Sequence, residues 1–213
     1  MCSSKKGLQF STKIYKLSEQ VMLLKNNQSL WLSLGLIAAI LLTRTNHFGG
    51  KVYLPDATLA VLFLGGLLVA RKSWLGVAIA AAFAMDFYAL GWKGVSDYCM
   101  SLGYWGLIPT YAIVWGAGRW LAKHSRSGHQ QPFASAPYLT TGLAAASVAF
   151  VLSNAFWYAF SDKVATLSIM EFSQRVAQYY TPYVGYAMMY LGIAWVTHFV
   201  IISLPSSNTA NTH

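Results

Sequence analysis

The segment GVSDYCMSLGYWG, from Gly94 to Gly106, packs a thiol, a carboxylate, hydroxyls and aromatic rings between two long apolar runs. Cys99 is the first residue in it to consider. A lone cysteine in an apolar chain ordinarily behaves as a small hydrophobe. Here its neighbours are Ser96-Asp97-Tyr98 and Met100-Ser101 rather than aliphatics. A thiolate is a soft ligand for a soft or borderline metal. One thiolate falls short of the four ligands of a structural zinc site. A metal bound at Cys99 would therefore arrive inside an organic cofactor that supplies its other ligands. Thiol nucleophilic catalysis, with His47 as the base, is the rival chemistry.

Other residues can serve the same region. Asp86, in AAAFAMDFYALGW, sits near the end of an apolar run. A carboxylate at membrane depth faces a cavity or a partner, or reaches water from the helix end. Asp86 can accept a hydrogen bond from a ligand amide or from a nearby hydroxyl. His47, in TRTNHFGG, is a candidate second ligand or a group at a pocket mouth. Tyr104 follows Cys99 by five residues and can line a pocket or anchor at a membrane interface. Asn154 and Trp157, in VLSNAFWYAF, form a polar–aromatic pair that can face a ligand from a bundle wall. His198 reads as a packing residue, and His124 and His129 as linker residues. No GxxxxGK[ST] phosphate loop, HExxH, GxSxG or CxxCH occurs, so no P-loop ATP site is expected.

These residues need elements to position them, and the composition says which kind. Hydrophobic residues make up 56% of the 213-residue chain and charged residues only 10%. Soluble domains carry about a quarter charged residues. The deficit points to an all-α integral membrane protein, a bundle of six transmembrane helices. Apolar segments run from Leu30 to Thr43, Ala57 to Ala70, Trp74 to Leu90, Leu102 to Leu121, Tyr138 to Phe160 and Tyr183 to Leu204. The expected organisation is a cytoplasmic tail over 1–29, the helical domain over 30–204 and a polar tail over 205–213. The first run has no small-residue cleavage site after it and reads as a retained span. His124 to Pro137 reads as a polar linker. Ser168 and Glu171 read as a capping pair for a short helix in the connection before the last span.

The net charge of +9 does not describe a nucleic-acid surface, because no soluble basic and aromatic face exists to carry it. Its distribution orients the chain instead. With the N-terminus inside, ten basic residues lie inside: Lys5, Lys6, Lys13, Lys16, Lys25, Arg71, Lys72, Arg119, Lys123 and Arg126. Five lie outside: Arg44, Lys51, Lys93, Lys163 and Arg175. Both termini are then cytoplasmic, and Cys99, His47 and Asp86 gather at the outer face. A disulfide between Cys2 and Cys99 would join a cytoplasmic tail to an outer loop and is not expected.

Three blocks in order carry a resemblance. They are LLTRTNHFGGKVYLPDATLAVLFLGG, then AMDFYALGWKGVSDYCMSLGYWGLIPTYAIVWGAGRW, then VLSNAFWYAFSDK with EFSQRVAQYYTPYVGYAMMYLG. Together they resemble the BtuM-type cobalamin transporters of the bacterial inner membrane, six-helix proteins related to the substrate-binding S-components of energy-coupling-factor transporters. The resemblance runs roughly from Thr43 to Gly192, with the N-terminal tail and the linker from His124 to Pro137 outside it. It implies that Cys99 coordinates the cobalt of a base-off cobalamin, and that removal of the upper axial group involves this cysteine. It implies further that Asp86, Tyr104 and His47 are motif positions. A corrin supplies four equatorial nitrogens, so one axial thiolate suffices. Tyr98, Tyr104, Trp105, Trp157, Tyr179 and Tyr180 can supply aromatic walls. The resemblance leaves open whether such a carrier acts alone or with an energising module. Gly35 to Ala39, GLIAA, is a small-residue face suited to such a module. A binder of another vitamin that needs such a module is the remaining alternative.

Overall fold

The computed structural model describes residues 28–44, 54–69, 71–92, 100–127, 133 and 135–203. Cys99 and His47 lie outside the described residues. The described chain is all-helical, with six helices in sequence order. They are α1 (Gln28–Arg44), α2 (Thr58–Leu64), α3 (Lys72–Trp92), α4 (Leu107–Ser127), α5 (Ser135–Phe160) and α6 (Ile169–Ser203). Helix α2 passes into a π-helical turn over Gly65–Val69, and a 3-10 turn over Leu102–Gly106 leads into α4.

Three helices are long and apolar enough to cross a membrane: α3, α5 from Ala136, and α6 as far as Val200. They present Val77, Phe87, Val148, Val151, Val196 and Phe199 on their outer surfaces. Water would penalise such apolar surface by about 25 cal/mol per Å², whereas lipid does not. Helices α1 and α2 are shorter apolar helices. At about 1.5 Å per residue α1 is about 25 Å long, against a hydrocarbon core of about 30 Å. Helix α4 carries Arg119 and Lys123 along its length and packs centrally, burying Thr110, Tyr111, Val114, Leu121 and Ala122.

Close approach of backbones holds α2 to α4. A Cβ on Gly118 would lie 2.0 Å from the Phe63 carbonyl oxygen, and one on Gly66 would lie 2.0 Å from the Trp115 carbonyl oxygen. Only hydrogen fits at either position. By contrast, a Cβ on Gly35, in the small-residue face of α1, would meet nothing within 4 Å.

The last helix departs from expectation. The Ser168–Glu171 pair does cap a helix: the Ser168 N–H and hydroxyl both donate to Glu171 Oε2, at 2.9 and 2.8 Å. The Glu171 N–H returns a bond to Ser168 Oγ at 3.3 Å. That helix does not stop before the last apolar run. It continues for 35 residues with Pro182 inside it. Phe172 and Val184 face inward and are buried along it, as are Ala187 and Leu191, so one helix can pack on α5 across the proline. The linker before α5 also differs from a purely polar connection. Phe133 stacks on His198 with centroids 4.2 Å apart, and its carbonyl accepts from Trp195 Nε1 at 3.2 Å. His124 belongs to α4, where its ring stacks on Trp120.

Candidate functional site

One end of the bundle gathers a buried charge cluster. Arg44, which the charge pattern assigns to an outer loop, is the last residue of α1 and is only 8% exposed. A guanidinium is buried at this cost only when carboxylates compensate it. Arg44 Nε donates to Asp86 Oδ1 and Nη2 to Asp86 Oδ2, each at 2.6 Å, a two-pronged pair between α1 and α3. Arg44 Nη1 donates to Asp56 Oδ2 at 2.8 Å and to Thr58 Oγ1 at 3.2 Å, which adds the entry to α2. Both the N–H and the hydroxyl of Thr58 donate to Asp56 Oδ1. The Ala57 N–H donates to Thr43 Oγ1 at 3.2 Å. Buried Tyr111 of α4 lies against the same guanidinium.

Asp86 is 5% exposed, so it does not reach water from its helix end. Its third bond comes from Tyr104, whose hydroxyl donates to Oδ2 at 2.7 Å. The structure thus brings together two of the residues singled out in the sequence and explains how they meet. Asp86 lies on the inward side of α3 with the buried Ala82, Phe83 and Ala89. Tyr104 lies on the 3-10 turn, its ring 5.0 Å from Phe83. Arg44 and Asp56 are the members that sequence reading missed. The available signal was an arginine, a proline-aspartate pair and an aspartate, each at the same end of three successive apolar runs.

The turn that carries Tyr104 is pressed onto α5. A Cβ on Gly103 would lie 2.7 Å from Trp157 Cα. Ser101, just before the turn, has its hydroxyl oxygen buried with no hydrogen-bond partner among the described residues. The chain from Ser101 to Tyr104 is therefore tied on one side to the Arg44 cluster and on the other to α5.

Asn154 and Trp157 do not share a cavity. Asn154 Nδ2 donates to the Phe150 carbonyl at 2.8 Å, and its side chain lines an apolar cleft of about 570 Å³ between α5 and α6. Trp157 lines a different, more polar pocket of about 450 Å³, with Phe172 and Val176 common to both. Tyr180 lines the apolar cleft, where its hydroxyl lies 2.8 Å from that of Ser147. Tyr179 lines the polar pocket. Trp105 is half exposed and packs edge-on to Phe83. Tyr98 lies outside the described residues. Among the described residues no group of three His, Cys, Asp or Glu side chains is placed to hold a metal ion. No family model matches this chain, and a search of curated proteins returns no significant match.

Proposed function

We propose that this chain is a cobalamin uptake protein of the bacterial inner membrane, a six-span bundle of S-component type with both termini cytoplasmic. Cobalamin enters from the outer face, and Cys99 takes the lower axial position on cobalt with the nucleotide base displaced. A thiolate donates strongly to cobalt and weakens the bond on the opposite face, which favours heterolytic loss of an anionic upper group such as cyanide, the electron pair leaving with it and the cobalt oxidation state unchanged. Cobalt supplies the deprotonation, since a coordinating metal drives the proton off a thiol. No general base beside the cysteine is then needed.

The observation that carries the reading is the buried cluster of Arg44, Asp86 and Tyr104. Asp86 and Tyr104 are motif positions of the resemblance, separated by 18 residues in the chain, and they meet at the end of the bundle where the chain emerges just after Cys99. A single axial ligand requires firmly held elements on either side of it, because one bond must be aimed from a rigid support. Asp86 and Tyr104 bond to each other, and their role in this reading is to hold the loop. The exposed side of α1 at Gly35 is where an energising module would dock.

Substitution at the cysteine tests the reading. Serine keeps shape and polarity but is a hard, weak ligand for cobalt. Purified Cys99→Ser is expected to lose the sulfur-to-cobalt absorption band and any loss of the upper axial group. Cys2→Ser is expected to match wild type. An unchanged corrinoid spectrum in Cys99→Ser would end the assignment and favour a binder of another vitamin.

A further inference from the structure

The 450 Å³ pocket beside Trp157 has a composition that the cobalt ligand does not use. Its walls are Trp157 from the end of α5, Lys163 from the connection, and Phe172, Arg175, Gln178 and Tyr179 from the first turns of α6. Its size falls within the range of about 300–1,000 Å³ typical of small-ligand sites. Among the described residues the ion pairs within 4.0 Å are both made by Arg44, so neither Lys163 nor Arg175 is in one. The acids closest in sequence are Asp162 and Glu171. Glu171 accepts both bonds from Ser168 at the helix cap and also interacts with the charge of Arg175 one turn along, beyond ion-pair distance. Two cations, aromatic rings and a side-chain amide lining one pocket are a set that can recognise a nucleotide, with the cations on the phosphate and a ring against the base.

The pocket is also within chain reach of Cys99. Trp157 is the residue onto which Gly103 packs, four positions after Cys99. If a sulfur occupies the lower face of cobalt, the displaced tail hangs from that same face of the corrin. Its phosphodiester, ribose and base must then lie beside the loop that carries the sulfur.

We propose that this pocket binds the nucleotide tail of a base-off cobalamin, with Lys163 and Arg175 on the phosphodiester and Trp157 and Tyr179 against the base. The proposal rests on the cobalamin reading and adds a second point of recognition to it. An anionic lipid headgroup offers the same phosphodiester without a base, so the two sources are separable.

The test compares cobalamin with cobinamide, which has the corrin but neither phosphate nor base. Wild-type protein in nanodiscs of zwitterionic lipid is expected to bind cobalamin at least about tenfold more tightly, ~1.4 kcal/mol. Lys163→Gln/Arg175→Gln is expected to remove that preference while keeping cobinamide binding and the sulfur–cobalt band, which also shows that the variant is folded. In wild type alone, raising salt from about 0.05 M to about 0.5 M is expected to narrow the preference, because exposed charges are screened. Wild type that shows the sulfur–cobalt band but no preference would overturn this proposal and leave the transport reading standing. A chain that binds neither corrinoid would overturn both. A double variant that loses co-purifying anionic lipid yet retains the full cobalamin preference would make the pocket a headgroup site and sink the proposal.

Discussion

Replacing Arg44 by methionine removes the cation that, among the described residues, faces two carboxylates. Methionine keeps the unbranched apolar stem, so the packing loss is small and the electrostatic loss dominates. Asp86 loses two charge-assisted bonds of 2.6 Å and Asp56 loses one of 2.8 Å. Asp86 is 5% exposed and keeps only the Tyr104 hydroxyl. Breaking a buried pair from one side costs about 3–5 kcal/mol, because the remaining charge stays buried. Asp56, whose side chain is 33% exposed, can recover part of its loss from water. Asp86→Asn is milder. Arg44 keeps Asp56, Tyr104 keeps an oxygen acceptor, and the cost is that of a hydrogen bond to a charged group, about 1.5–3 kcal/mol. Arg44→Met/Asp86→Asn removes both charges of the pair, so it is expected to cost less than the two single changes added together, by at least about 1 kcal/mol. Reversible unfolding in mixed micelles measures all of these. Additive losses, or an Arg44→Met protein within about 0.5 kcal/mol of wild type, would show that the cluster does not hold the helix ends together.

Two further changes probe the frame around the site. Gly118→Ala is expected to separate α2 from α4 and to destabilise by at least about 1–3 kcal/mol, since its Cβ would meet the Phe63 carbonyl at 2.0 Å; Gly35→Ala, with nothing within 4 Å, is the control that should leave unfolding unchanged. Ser168→Ala is expected to cost about 0.5–2 kcal/mol at the cap and to show as faster amide exchange confined to the first turn of α6; unchanged exchange there would mean that the packing of Phe172, not the Ser168–Glu171 pair, starts the helix.

Much of the architecture was legible before any coordinate. Long apolar runs with few charges specify helices, because backbone donors and acceptors in an apolar surrounding are satisfied within a helix. The six runs accordingly reappear as six helices. The capping signal at Ser168 and Glu171 was legible for the same reason: it is local, spanning three residues. Its consequence was not, because whether α6 ends at Pro182 or runs past it depends on the surface of α5 against which Phe172, Val184 and Leu191 are buried. The candidate site divides in the same way. Residue types and the apolar surroundings selected Asp86 and Tyr104 as unusual. That they bond to each other, and that Arg44 and Asp56 complete the cluster, was decided by the tertiary structure, which brings residues 42 and 18 positions apart to within 2.7 Å. Sequence shows that a charge near an apolar run needs a partner. Only the packing of α1, α2 and α3 at one end of the bundle determines which partner is within reach, because Coulomb attraction and hydrogen bonding act over a few ångströms of space and not along the chain.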